Sequence, residues 1–260
     1  MSRVFAPLLA LLLTPAAHAA MVEKPVEWTV GKQHFSGVLV FDDAVAAKRP
    51  GLLMVPDWRG INAPNIAKAR DIAGRDYVVL VADMYGKGVR PKDDAEARAQ
   101  VTKLYSDRPG LRARADKALS VLRAQVGKAP VDPSRIAALG YCFGGATVLE
   151  LARSGADLAG VVSFHGGLST AMPAAPGAVK ASVLVLNGAD DKSTAGDIAG
   201  FEKEMNAAGV DWQFVNFSGA VHCFALPHAN QPGCAYNERA AKRSERIMRG
   251  FLAERFAAGR

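Results

Sequence analysis

Five short apolar runs, "LLMVP", "YVVLVA", "RIAALG", "LAGVVSF" and "SVLVLN", recur between residues 52 and 187. A strand with one face in water alternates polar and apolar residues. Runs that are almost continuously Val and Leu belong to strands buried on both faces, as in a parallel sheet. Parallel strands need crossover connections, and the segments between the runs have helical spacing. Leu111, Ala115, Ala118 and Leu122 fall at i, i+4, i+7 and i+11, and Ile198, Phe201 and Met205 follow the fifth run. Such alternation implies right-handed crossovers with helices on both faces of the sheet. Ahead of the runs, "VEWTVGKQHFSGVLVFDD" has two β-rich stretches split by Gly31-Lys32, the pattern of a hairpin. Beyond them, "WQFVNF" adds a strand. "NERAAKRSERIMRGFLAERF" then closes the chain as a helix, with Ile247, Met248, Phe251 and Leu252 on one stripe. No repeat, linker or change of composition interrupts residues 21–260, and half of the 260 residues are hydrophobic. One α/β domain with a mostly parallel sheet is the expectation.

The first 20 residues stand outside that domain. Arg3 precedes the apolar "FAPLLALLLTPAA", and Ala17-His18-Ala19 matches a small-x-small cleavage pattern. The run is shorter than the roughly 20 apolar residues of a membrane span. A signal peptide over residues 1–20, cut near Ala19 or Ala20, implies an exported, periplasmic protein with no membrane span in its mature chain. The net charge of +7 includes Arg3, which leaves +6 on the mature chain. Its cations are interspersed with acids, as in "RPKDDAEARAQVTKLYSDRPGLRARADK", so a solvated helix face explains them and a nucleic-acid partner is not expected.

Ligands of open parallel sheets bind beyond the carboxyl ends of the strands. That edge collects Asp57-Trp58-Arg59-Gly60, Asp83-Met84-Tyr85, Tyr141-Cys142-Phe143, His165, Asp190-Asp191 and His222. Within "ALGYCFGGATVLE", Cys142 occupies the middle of Gly-x-Cys-x-Gly between a strand and a helix, the corner where serine hydrolases carry their nucleophile. Gly140, Gly144 and Gly145 give the corner room. The following helix aims its positive dipole end at the sulfur, which favours a thiolate. The N–H groups of Phe143 and of the loop around Trp58 are the candidate oxyanion donors. A thiol nucleophile needs a base. His18 leaves with the leader, His34 lies in the hairpin, His165 ends a strand, and His228 has no strand directly before it. His222 follows the last strand and is the candidate base. The acid should lie between nucleophile and histidine; "VLVLNGADD" offers Asp190 and Asp191, of which Asp191 is favoured.

"GYCFGG", "NGADD", "GAVHCFA", "MVPDWRGIN" and "VADMYG" together resemble the dienelactone hydrolase family of α/β hydrolases, from about residue 27 to 257. The resemblance implies an α/β-hydrolase fold, a Cys142–His222–Asp191 triad and acyl transfer through a thioester, without metal or organic cofactor. Family members that cleave dienelactone use a loop glutamate to take the thiol proton. Asp57 stands there, one methylene shorter, either activating Cys142 or bracing its loop. Those relatives also hold the substrate carboxylate with two arginines and a serine, which align here with Lys87, Leu226 and Cys223. A charge is lost at Leu226 and bidentate geometry at Lys87, so dienelactone itself is not favoured. Tyr85, Lys87, Arg59 and Leu226 are the candidate substrate contacts.

Three cysteines leave one unpaired. Cys223 and Cys234 flank the short "FALPHANQPG", so a bond between them is expected, fixing the segment after His222 and leaving Cys142 free. A zinc site on His222, Cys223, His228 and Cys234 is set aside because adjacent ligands in an extended chain diverge. The resulting expectation is a cofactor-independent hydrolase of small ester, lactone or thioester substrates, monomeric or homodimeric. The alternative is a non-catalytic periplasmic thiol sensor or small-molecule-binding protein on the same fold.

Overall fold

A computed structural model of the protein describes residues 21–258, so the expected leader lies outside the described residues. Strands β1 (Met21–Val30) and β2 (Gln33–Asp42) form the hairpin, paired antiparallel from Met21 opposite Asp42 to Val30 opposite Gln33. Gly31 makes the turn at φ 57°, a left-handed conformation that glycine adopts without steric cost. There follow β3 (Arg49–Val55), α1 (Ala63–Ala73), β4 (Val78–Val81), α2 (Asp94–Tyr105), α3 (Arg108–Arg123) and β5 (Val131–Tyr141). The chain continues through α4 (Phe143–Arg153), β6 (Gly160–Phe164), β7 (Ser182–Gly188), α5 (Ile198–Ala207) and β8 (Trp212–Phe217). A two-residue pairing, β9 (Asn230–Gln231) with β10 (Cys234–Ala235), precedes the closing helix α6 (Glu238–Ala258).

The eight-stranded sheet has the order β1-β2-β4-β3-β5-β6-β7-β8. Its first two strands are antiparallel, β2 joins β4 antiparallel, and the six strands from β4 to β8 run parallel. This is the α/β-hydrolase fold. Strand faces alternate with period two. On β3, Leu53 and Val55 face the core layer that holds Leu111, Ala115, Ala118 and Leu122 of α3, Val148 and Leu151 of α4 and, further along the sheet, Phe201 and Met205 of α5. Leu52 and Met54 face the other way, toward Ala69 and Ile72 of α1 and Met248, Phe251 and Leu252 of α6. Each large side chain removed from water contributes roughly 1.5–3 kcal/mol, and both layers draw on the runs that marked the strands.

Helix α1 starts where its sequence allows. The Asn62 side chain accepts from the Asn65 N–H, and Pro64 occupies the first turn, where no N–H is needed. Helix α4 is wholly buried and carries Glu150, whose carboxylate meets Arg112 at 2.7 Å and Arg153 at 3.3 Å. A buried carboxylate is tolerable only when paired in this way. Among the described residues no helix is long and apolar enough to cross a membrane.

The topology fixes the position of the site. From β3 the chain steps to β4 on one side, then returns to β5 on the other. The loops leaving β3 and β5 therefore part from each other at the carboxyl edge, and a crevice opens at such a switch point. Trp58 follows β3, and Cys142 follows β5.

Candidate active site

Cys142 has φ 54° and ψ −114°, one of three non-glycine residues with positive φ among those described. Such a conformation costs about 1–3 kcal/mol and persists only where the surroundings hold it. Its N–H donates to the Phe164 carbonyl at 3.0 Å, and its carbonyl accepts from the Ala146 N–H at 3.1 Å as α4 begins. A Cβ at Gly140 would overlap the Gly144 carbonyl, and one at Gly144 would overlap the Val55 carbonyl. The two glycines let the corner press against the end of β3. The thiol is free and partly exposed.

His222 Nε2 lies 3.1 Å from Cys142 Sγ, and its Nδ1 lies 2.7 Å from Asp191 Oδ2. Residues 80 and 31 positions apart in the chain thus form one line of hydrogen bonds. Asp191 is 2% exposed, whereas its neighbour Asp190 points to solvent, which separates the two candidate acids. Burial pulls the His222 imidazole down, but the hydrogen bonds and charges of Asp191 and Cys142 outweigh it and hold the ring at about 10. The two partners therefore favour the charged ring, which carries an N–H for each. Burial pushes the Asp191 carboxyl up, yet the bonds from His222 and Ser193 bring it below the ordinary carboxylate range. Beneath His222 lies His165, fully buried, its ring edge-on with centroids 5.1 Å apart. Burial and the neighbouring His222 keep His165 well below its ordinary value, so it is a neutral packing partner rather than a residue of the cleft.

The loop after β3 is braced from within. The Arg59 N–H donates to Asp57 Oδ1 at 2.8 Å, and the Gly60 N–H to the Asp57 carbonyl at 2.9 Å. Among the described residues Cys142 Sγ is hydrogen-bonded to His222 and not to Asp57, whose carboxyl is pushed up by burial. Of its two expected roles, the contacts of Asp57 belong to the loop-bracing one. Tyr85 was expected to touch substrate. Its hydroxyl instead donates to the Trp58 carbonyl at 2.8 Å and its ring stacks on Phe143, centroids 5.7 Å apart. Tyr85 thereby ties the Trp58 peptide to the Phe143 ring. Neither of those two N–H groups donates to another described residue.

A cleft of about 550 Å³ lies between this loop with α1 and the segment from Cys223 to Cys234, lined by chain neighbours of the triad rather than by Cys142 or His222 themselves. Asp57, Trp58, Arg59 and Leu226 line it, as does Lys68, which the sequence did not single out. Lys68 donates to the Ala225 carbonyl at 2.9 Å, linking α1 to the loop that carries His222. The charged residues of the lining are Asp57, Asp71 and Asp94 against Arg59 and Lys68, and Arg59 is bonded to Asp94. Lys87 is not in this cleft. Its N–H donates to the His34 carbonyl and its ammonium pairs with Glu27 at 2.8 Å on the exposed hairpin, which turns the side chain away from the site. The expectation of a substrate contact at Lys87 is corrected accordingly.

Cys223 and Cys234 are joined by a disulfide, their Cα atoms 4.9 Å apart. Two of the four donors of a zinc set are thus bonded to each other, and among the described residues no cluster of acidic, His or Cys side chains is placed to hold a metal. Cys223 has φ 63°, and the Ala235 N–H donates to the His222 carbonyl at 3.0 Å, so the bridge and β10 grip the histidine from its carboxyl side. Ser193 was also unforeseen: its hydroxyl donates to Asp191 Oδ1 at 2.6 Å. The only signal for it was a hydroxyl two positions after an aspartate, a common Asx-turn pattern.

Known proteins share the fold. The profile of the dienelactone hydrolase family matches residues 35–256. A dienelactone hydrolase-like promiscuous phosphotriesterase from metagenomic libraries is 37% identical, with a TM-score of 0.85 over 91% of this chain and 99% of its own. A dienelactone hydrolase from Anabaena variabilis shares the fold at 20% identity, with a TM-score of 0.65 over 90% of this chain and 98% of its own. An uncharacterized protein of Caenorhabditis elegans is 34% identical over 163 residues, 59% of this chain and all of its own length. With the family profile extending over most of its length, the chain belongs to the dienelactone hydrolase family of α/β hydrolases.

Proposed function

We propose that the protein hydrolyses carboxylic ester, lactone or thioester bonds with Cys142 as nucleophile, without metal or organic cofactor. The observation that carries this reading is the unbroken line from Cys142 Sγ through His222 to Asp191 Oδ2, at 3.1 and 2.7 Å. Once the Cys142 proton has passed to Nε2, His222 donates to both partners and the sulfur is free to attack. The sulfur attacks the carbonyl carbon, and the π pair moves to oxygen, where the N–H groups of Phe143 and Trp58 receive it. Collapse expels the alcohol, which takes its proton from His222 Nε2 and leaves a thioester on Cys142. Water then gives a proton to the neutral His222 and attacks the thioester, and the sulfur leaves as thiolate beside a recharged ring. Asp191 keeps the ring in the orientation that both halves need.

The cleft supports an uncharged substrate. Three carboxylates against two cations offer no net attraction for an acid, and Leu226 stands where a carboxylate-binding arginine would be expected. A neutral ester or lactone with an apolar group between Trp58 and Leu226 is the preferred class, and dienelactone is not. The 37% identical relative favours a second reading, a neutral phosphotriester. There the same sulfur would bond to phosphorus, an aryloxide would leave, and water would cleave the S–P bond.

The test is steady-state hydrolysis of p-nitrophenyl esters and a p-nitrophenyl dialkyl phosphate by the wild type, Cys142→Ala and His222→Ala. Ester turnover that disappears in both variants is expected. Full turnover by Cys142→Ala removes the nucleophile assignment. Rapid, reversible oxidation of Cys142 with no hydrolysis of any substrate would favour the thiol-sensor alternative.

We also place the protein in the periplasm. The leader over residues 1–20 and a disulfide suited to an oxidising compartment support that location. Amino-terminal sequencing of the protein from a periplasmic extract should begin at Ala20 or Met21. A start at Met1 from the cytoplasmic fraction would contradict it.

A further inference from the structure

We propose that Ser193 is a positioning residue of the triad, a hydroxyl clamp that presents one oxygen of Asp191 to His222. The proposal rests on the triad reading above. Two donors of Ser193 converge on Asp191 Oδ1: the backbone N–H at 2.9 Å and Oγ at 2.6 Å. The opposite oxygen, Oδ2, meets His222 Nδ1 at 2.7 Å. Ser193 Oγ lies 3.5 Å from Nδ1 itself, too far for a strong bond, so the ring N–H is directed to Oδ2. One carboxylate oxygen is therefore reserved for the loop and the other for the ring. A carboxylate free to rotate about its Cβ–Cγ bond would not keep that division. Asp191, Ser193 and His222 all line a second recess, of about 630 Å³. Asp191 is buried and Ser193 exposed, so the hydroxyl is the outer partner of the pair. The charged or titratable groups around Asp191 are His222, the neutral His165 beneath it, and the exposed Asp190 and Lys192 beside it in the chain.

Ser193→Ala removes Oγ and spares the backbone N–H. A hydrogen bond to a charged group commonly carries about tenfold or more in an equilibrium or a rate. On a p-nitrophenyl ester, kcat should fall about tenfold with KM within about twofold, as for an interaction that strengthens in the transition state. The acidic limb of the pH–kcat profile should move upward, because Asp191 ionises less readily without the hydroxyl, and Ser193→Thr should restore both. Proton NMR provides a readout independent of turnover: the low-field resonance of His222 Nδ1–H should shift and exchange faster with solvent in Ser193→Ala. An unchanged resonance together with an unchanged acidic limb would overturn the proposal. Failure of the triad reading is recognised separately, by Cys142→Ala retaining turnover, and the resonance then decides the Ser193 assignment by itself.

Discussion

Cys142, His222 and Asp191 were legible from the residues because chemistry and chain order restrict the choice. A cysteine between close-packed glycines after an apolar run has few structural roles, and eliminating the other histidines leaves His222. The choice between Asp190 and Asp191 depends on which side of a turn faces inward, and the structure resolves it by burial, with Asp191 2% exposed. Alignment fared worse for single contacts. Lys87 falls beside a motif in sequence but is tied to the hairpin through Glu27, and no local pattern announces such a long-range pair. Lys87→Ala should accordingly leave kcat/KM within about twofold, since exposed ion pairs contribute little; a loss above tenfold would return Lys87 to the site. Asp191→Asn should keep the fold and lower kcat on the order of 10³-fold or more with a small change in KM, because the amide leaves His222 Nδ1 without its charged partner. A kcat near that of the wild type would show that His222 works without Asp191.

At the scale of elements, the parallel strands and the helices α3, α5 and α6 followed from hydrophobic spacing, since burial on both faces or on one stripe leaves a direct mark on composition. The β9–β10 pairing left none, being two residues a side within a Pro- and Gly-containing segment. Its order comes from a covalent bond and from the His222 carbonyl rather than from apolar burial. The disulfide closes a segment 11 residues apart in the chain. Removing a bridge of that span costs roughly 2–3 kcal/mol by loop-closure entropy. Cys223→Ser with Cys234→Ser should lower stability by about that amount in urea titration, and should also depress kcat because the segment that grips His222 is released. Equal kcat in the double variant and the wild type would show that β10 and the packing of Phe224 on His165 hold the histidine without the bridge.

Over the whole molecule, the topology explains why residues from four loops meet at one edge, and the same convergence links protonation to stability. His222 is held at about 10, above an unfolded value near 6.5, so its contribution is complete below pH 6.5 and is lost as pH rises through about 10. Asp191 is shifted the opposite way: its contribution is present above the ordinary carboxylate value and is lost as pH falls through its lowered one. Denaturant titrations should therefore give highest stability on the acidic side of neutrality, declining toward pH 10, whereas kcat/KM should hold over that range and fall only as pH rises through about 10. A stability that rises between pH 7 and 10 would contradict this account of the pair. The central claim, a covalent acyl group on Cys142, is tested most directly by acid-quenching the protein with a slowly hydrolysed p-nitrophenyl ester and measuring intact and peptide masses. The account predicts one added acyl mass, confined to the peptide containing Cys142 and absent from Cys142→Ala. An acyl mass on another residue, or steady turnover with unmodified Cys142 and undiminished rate in Cys142→Ala, would contradict it.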